Sequence, residues 1–466
     1  MTEAVRREPG RSGLGLVLSA RRDPLARILN VDLATVLIAV LLPWSTTGVV
    51  IATALWVIAL APTIEAAAFW RSLKRPICAL PIAMFSLALV GTLWSDAPWG
   101  ERLHAVGPTV KLLMLPLPLL LYHCERSPRG VWVFIAFLTS CLLLMIASWL
   151  VALDPNLSLK LYFSRGPFTP TSGIVVRNHI DQSQEFVLCA IELAYPVMTL
   201  LRTNRVRLAA LFAAIAASLL INMMFVVVSR TALVTMPIMI AVFALLHLRW
   251  RAAIIALCAA ALLAAVIWNV SPQLRATVSK FFTDYQYTSI QNNETGIGSR
   301  LLYWQKSLRF FAEAPLIGHG TGATRGLFEK AAMGATGARG QVVSNPHNQT
   351  LNMAVQWGVL GVVLLYAMWL VHLMLFRGEG LAAWIGLLVV VQNVSTSLFN
   401  SHLFDFQEGW MYVLGVGVAG GMVLRARRDD VANHNQCAPT LLQTRPMPDR
   451  NNNPSTTSRK FWSLSA

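Results

Sequence analysis

Charge is what this sequence has least of. Only 13% of its 466 residues are Asp, Glu, Lys or Arg, where a soluble domain carries about 25%. That deficit excludes a string of soluble domains, which the length alone would allow. Acidic residues are the scarcer sign: 22 stand against 38 Lys and Arg, for a net charge of +16. In a soluble chain such a balance would point to nucleic acid. Here 55% of residues are hydrophobic and the mean hydropathy is +0.56. The basic excess is therefore first explained by the Lys and Arg that collect in cytoplasmic loops of membrane proteins, and no nucleic-acid partner is expected. Enzyme motifs of soluble proteins are missing too. No glycine loop ends in Gly-Lys-Ser/Thr, so ATP is not the expected energy source. There is no Gly-x-Ser-x-Gly elbow. No His/Cys/carboxylate cluster shows metal spacing, so neither a metal nor a cofactor is expected. Of the six cysteines, Cys78, Cys141, Cys189 and Cys258 lie in apolar runs, where Cys behaves as a small hydrophobe. Cys124 and Cys437 fall on the side assigned below as cytoplasmic, so no disulfide is expected.

What is present is a series of apolar runs, at 31–46, 48–64, 76–94, 109–124, 131–152, 184–201, 208–228, 231–248, 252–269, 348–376, 381–399 and 406–424. Their lengths suit membrane spans and predict an all-α polytopic membrane protein of about twelve transmembrane helices. The basic first 30 residues lack a small-residue cleavage site, and the segment after Val31 reads as a retained first span. With the N-terminus inside, every short inside loop carries Arg, including Arg71, Arg75, Arg126, Arg129, Arg202, Arg249, Arg377 and Arg425. The expected organisation is a cytoplasmic tail at 1–30, nine spans within 31–269, and a large external loop at 270–347. Three more spans follow within 348–424, then a disordered cytoplasmic tail at 425–466.

The external loop runs against the topology rule. It holds Arg275, Lys280, Arg300, Lys306, Arg309, Arg325, Lys330 and Arg339, but only Asp284, Glu294, Glu313 and Glu329. External basic residues call for an anionic partner, and lipid-borne phosphate is the natural one; the alternative is a solvated amphipathic face. Helical spacing covers 274–287 and 300–312. In the second, Ser299 is placed to cap, Leu301, Trp304, Leu308 and Phe311 form an apolar stripe, and Trp304, Phe310 and Phe311 suit a helix lying at the membrane interface. The Gly-rich stretch 334–341 is expected to be mobile.

Chemistry concentrates at a few positions. In Asn345-Pro346-His347-Asn348, Asn345 suits an N-cap and Pro346 the first helical position, which puts His347 in the first turn of the tenth span. The positive helix terminus disfavours imidazolium, and a neutral His there can accept a proton; alone, it reads first as an interfacial His satisfied by water. Arg230, in the shortest external loop, is costly so near hydrocarbon unless it faces a cavity or a partner, and its fork fits a pyrophosphate; the alternative is snorkelling to headgroups. Arg300 opens the second loop helix, where helix terminus and guanidinium make an anion site. Further external candidates are Arg177, Arg102, Lys111, Asp405 and Glu408. His319 reads as part of a turn.

The order of these features resembles a known family. Ser229-Arg230-Thr231 follows a span, and Ser299-Arg300-Leu301-Leu302-Tyr303-Trp304 opens the loop helix. Pro315-Leu316-Ile317-Gly318-His319-Gly320, Pro346-His347-Asn348-Gln349-Thr350-Leu351 and Gln356-Trp357-Gly358-Val359-Leu360-Gly361 come after them. Together they resemble the O-antigen ligase and polymerase superfamily of bacterial envelopes, best over about 210–400. The resemblance implies an inverting, metal-independent glycosyltransferase on the periplasmic face of the inner membrane. Its donor would be a glycan on undecaprenyl pyrophosphate, and in a ligase its acceptor is a sugar hydroxyl of lipid A–core. It implies His347 as the catalytic histidine, Arg230 and Arg300 as essential arginines, and Arg177 as a possible third. Lys306, Arg309 and Arg102 complete the candidate phosphate contacts. One departure is Gln356, where the family often has Glu, and it gives that position no catalytic role. A polymerase extending the lipid-linked glycan is the alternative in the same class. A transporter is the alternative outside it, though transporters place polar sites near the midplane and often show inverted repeats, neither of which is visible here.

Overall fold

The structure is a computed structural model that describes residues 24–153, 173–176 and 178–443. Among the described residues every regular element is helical. The chain opens with α1 (Pro24–Leu41) and α2 (Thr46–Leu60), and α3 (Ala66–Leu73) meets α4 (Pro76–Val90) at a bend of 78°. The fourth apolar run is built of α5 (Trp99–Pro108), a wide turn over Thr109–Met114 and α6 (Pro116–Cys124). Pro116 has no amide to donate and its ring crowds the preceding turn, which accounts for the widened helix there. Then come α7 (Gly130–Leu153), α8 (His179–Glu192), α9 (Ala194–Arg202), α10 (Val206–Phe225), α11 (Arg230–His247) and α12 (Trp250–Val270). The loop region carries α13 (Pro272–Gln291), α14 (Gly298–Glu313) and α15 (Thr324–Ala332). Last are α16 (Gln349–Leu375), α17 (Leu381–Thr396) and α18 (Phe406–Gln443).

All twelve apolar runs are thus helical. Among the described residues nine spans are long and apolar enough to cross a bilayer, or ten if the bent pair α3–α4 counts as one. Of the remaining two, α17 has 16 residues, about 24 Å at 1.5 Å per residue, short of a hydrocarbon core of about 30 Å. The chain is an all-α polytopic membrane protein. It divides into two compact units at Leu424. In the second, residues 425–443 of the tail expected to be disordered are helical, and 444–466 lie outside the described residues.

In the first unit α18 packs through a glycine face. A Cβ on Gly415, Gly417, Gly420 or Gly421 would fall 2.6 Å from Val389, Leu120, Leu121 or Cys124 respectively. Small residues let these backbones approach, as membrane helices require when no hydrophobic gradient drives them together. At the start of α4, Arg75 grips Glu125 through both oxygens (2.6 and 3.1 Å), and buried Asp32 binds His123 (2.7 Å) and Arg129 (3.2 Å).

The other end of α4 meets the loop region, and there α16 is broken at Gly358 (φ 61°, ψ −153°). Only glycine enters that conformation readily. The break frees backbone groups that membrane depth forbids leaving bare, and the segment 315–322 satisfies them. His319 N and Gly320 N donate to Val355 O and Gln356 O (both 2.9 Å), while Val359 N and Leu360 N donate to Pro315 O (2.8 Å) and Leu316 O (3.4 Å). Gly322 N donates to the Gln356 side chain (2.8 Å), and Thr321 pins the segment to α4 through Ala88 O (2.6 Å) and Gly91 O (3.0 Å). Two motifs seen separately in the sequence are therefore halves of one joint, and Gln356 is a structural member of it. His319 lies in the turn, its Nε2 against Phe310 O (2.8 Å). A Cβ at 358 would stand 2.4 Å from the Leu316 carbonyl carbon. Gly358→Ala therefore adds a backbone clash to a conformational cost of about 1–3 kcal/mol. The expected result is a lower thermal midpoint in detergent and less folded protein; an unchanged midpoint would show that the joint yields freely.

Three loop expectations change. Helix α14 starts at Gly298 with Ile297 at the cap, so Ser299 lies inside the first turn. Its buried face is Tyr303, Ser307 and Phe310, with Tyr303 and Phe310 packed on Phe328 and Val355. Leu301 and Leu308 of the predicted stripe point outward, 38% and 56% exposed. Tertiary packing chose the aromatic face and left the aliphatic one open. The stretch 334–341 is tied down: Asn292, left-handed at the end of α13, accepts from Ala338 N (2.9 Å) and Arg339 N (3.0 Å) and donates to Thr336 O (2.6 Å).

Candidate active site

The helix after His347 begins later than its sequence suggests. Asn348 is the N-cap of α16, its side chain accepting from Leu351 N (3.0 Å). His347 stands before the cap at φ 55°, not in the first helical turn. The reason lies in Asn345, whose side chain is spent on a tight turn, accepting from His347 N (2.9 Å) and Ser401 Oγ (2.7 Å). The imidazole is half-buried, with Nδ1 2.8 Å from Asn400 Oδ1 and the ring tilted over Tyr303 at 6.2 Å. Among the described residues Nε2 has no hydrogen-bond partner. Burial lowers the pKa of His347; the Asn400 bond opposes this and the Arg300 charge adds to it. Burial thus favours the neutral form of the ring.

Arg230 is the first residue of α11. Ser229 is in the N-cap position, but its side chain makes no capping bond. The guanidinium is held by Asp284 of α13 at 3.2 Å. Arg300, in the first turn of α14, is half-buried, and among the described residues it has no ion pair. Burial depresses its pKa and Arg230 depresses it further, against weaker support from Tyr303 and Asp405. His179, which opens α8 behind the cap Asn178, also lies in the field of Arg230.

These positions share one feature. His179, Arg230, Arg300, His347 and Asp405 all stand at the starts of helices, those of α8, α11, α14, α16 and α18. The two arginine charges link them: Arg230 acts on His179 and Arg300, and Arg300 acts on His347 and is supported by Asp405. Helix starts carry partial positive charge and unbonded N–H groups. Several such helix starts beside two guanidiniums have the chemistry to receive an anion.

The turn before α18 adds a carboxylate group that was not legible as a cluster. Asn400 donates to Asp405 through a very short bond. His402 Nε2 lies 3.9 Å from Asp405 Oδ2 and 3.7 Å from Glu408 Oε1. Burial and the charge of Asp181 push Asp405 up to about 7, and burial with the Arg300 and His347 charges pushes His402 down to about 3. One ligand atom from each of His402, Asp405 and Glu408 falls within 4.8 Å of the others, so the three can hold a metal ion. This corrects the reading that no such cluster exists. The spacing of three between 402, 405 and 408 is the signal, hidden because a turn and a helix start share it. Two buried atoms of the set, His402 Nδ1 and Glu408 Oε1, lack hydrogen-bond partners, while the nearby Arg300 charge opposes a cation.

Other predicted contacts lie apart. Arg102 donates to Ala97 O (2.6 Å) and Thr92 O (2.8 Å) and stacks on Trp99 at 4.5 Å, so it fastens its own loop. Lys306 reaches Arg339 O (2.6 Å). Arg309 is 79% exposed and pairs with Glu313 one turn on. At 100° per residue neither shares the helix face of Arg300. Arg177 lies outside the described residues.

In a comparison with known families, a family model described as O-antigen ligase matches residues 215–366. The matched region includes Arg230, Arg300, His347 and both halves of the joint at Gly358. It supports O-antigen ligase or polymerase type glycosyltransfer with lipid-linked glycans as substrates. A search of curated proteins found no match.

Proposed function

We propose that this chain, a member of the O-antigen ligase superfamily, transfers a glycan from undecaprenyl pyrophosphate to a sugar hydroxyl of lipid A–core. The site faces the periplasm, and both termini are cytoplasmic, as the Arg distribution supports. The observation that carries the reading is Arg300: half-buried, in the field of a second guanidinium, without an ion pair among the described residues, and interacting with His347. Uncompensated positive charge among helix starts fits a pyrophosphate. His347 Nε2 takes the proton of the acceptor hydroxyl as its oxygen attacks the anomeric carbon. The bond from that carbon to the pyrophosphate breaks with inversion, and Arg300 and Arg230 stabilise the departing charge. The activated donor supplies the energy, so no ATP enters.

Two guanidiniums do what a metal would otherwise do. The His402–Asp405–Glu408 set favours a second reading in which a bound cation takes part. Chelation separates the two: the rate is expected to stay within about twofold of untreated protein, since no step is routed through the set. A rate that collapses and returns with a divalent ion would establish the second reading. The reaction itself is tested with purified protein, lipid-linked glycan and lipid A–core, without ATP. Glycan on lipid A–core is the expected product. Longer glycan still on undecaprenyl pyrophosphate would make the protein a polymerase, and no product from either would reopen the transporter reading.

A further inference from the structure

The polar groups behind His347 have a direction, and it can be deduced without seeing a hydrogen. A backbone N–H can only donate. His347 N meets Asn345 Oδ1 at 2.9 Å, so the oxygen of the Asn345 amide faces His347. Its Nδ2 must then face away, and it lies 3.1 Å from Asn400 Oδ1. The Asn400 amide is thereby orientated: an oxygen towards Asn345, a nitrogen towards the Asp405 carboxylate, where it donates. That same Asn400 oxygen is 2.8 Å from His347 Nδ1. An oxygen with two lone pairs accepts from both, so Nδ1 must carry the proton.

We propose that Asn345 and Asn400 are positioning residues that lock His347 in the Nδ1–H tautomer, with Asp405 anchoring the far end, so that Nε2 is left as the base. The inference rests on the reading of His347 as that base. The left-handed backbone at φ 55° is held by the same bonds that set the tautomer. Catalytic triads use a carboxylate for this task, and a wrong tautomer there costs about 10⁴-fold; here an amide does it, with its polarity fixed by the main chain.

The test uses full-length protein in the transfer assay. Asn400→Ala is expected to lower kcat about 10²-fold with KM within about twofold, because binding groups are untouched. Asn345→Asp keeps the acceptor for His347 N but has no donor for Asn400, and should fall similarly. The double swap Asn400→Asp with Asp405→Asn keeps every donor facing an acceptor and preserves the charge, and should recover at least tenfold over Asn400→Ala. Normal kcat in Asn400→Ala, or a swap no better than that variant at equal thermal stability, would overturn the proposal. Should Asn400→Ala fail to fold, Asn345→Asp decides, wild-type kcat counting against. If His347→Ala itself keeps normal turnover, the reading of the base has failed; if it is inactive while Asn400→Ala is normal, only this inference has.

Discussion

His347→Ala is expected to lower transfer by at least about 10³-fold while leaving the protein folded. General-base catalysis contributes about 10²–10⁴-fold, and the proposed mechanism gives the acceptor proton to no other group. The fold should survive because His347 is in no helix. The cap of α16 is made by Asn348, and Asn345 still receives the backbone N–H of residue 347. What is lost is one side-chain bond to Asn400 and a ring contact with Tyr303. The measurement is single-turnover transfer beside the size-exclusion profile in detergent. An inactive, monodisperse variant supports the assignment; a variant with ordinary turnover removes the base. The pH profile supplies an independent check. His347 acts when unprotonated, so activity falls as pH drops through its pKa, which burial holds below the ordinary histidine value. The limb assigned to this group therefore lies on the acid side of about 6.5.

The parts of this protein that the sequence makes legible are those with a local signature. Apolar runs need only length, and all twelve became helices. Arg230, Arg300 and His347 were visible because each is a polar residue at an element's edge beside hydrocarbon, where its presence calls for a reason. What could not be seen is what depends on distant pairing. Asn400 carries no charge and no motif, and its meaning arises only where the turn before α18 meets the turn before α16, over fifty residues apart. The joint at Gly358 is a main-chain contact, whose one trace in the sequence is glycine on both sides, Gly318 and Gly358. Lys306 and Arg309 show the opposite limit: sign alone suggests phosphate, while helix phase puts them on other faces from Arg300.

Arg300 and Arg230 are not equivalent, and lysine substitution should separate them. Arg230 has a counter-ion in Asp284 at 3.2 Å; Arg300 has none among the described residues and is half-buried. Arg300→Lys is expected to lower kcat about 10²-fold or more and to weaken donor binding as well. A lysine is a point charge that cannot fork onto two oxygens of a pyrophosphate. It is also easier to neutralise: burial and the Arg230 charge, which already depress the guanidinium, would press harder on an ammonium with its lower starting pKa. Because leaving-group charge grows as the glycosidic bond breaks, the loss falls on kcat and not on KM alone. Arg230→Lys should also be severely impaired, but less, since Asp284 can hold either cation. Kinetics against lipid-linked donor, at saturating acceptor, measure both. Wild-type kcat in Arg300→Lys would reduce that residue to a headgroup contact, and a larger defect at Arg230 than at Arg300 would move the pyrophosphate towards α11 and make Asp284 a group that the donor must displace.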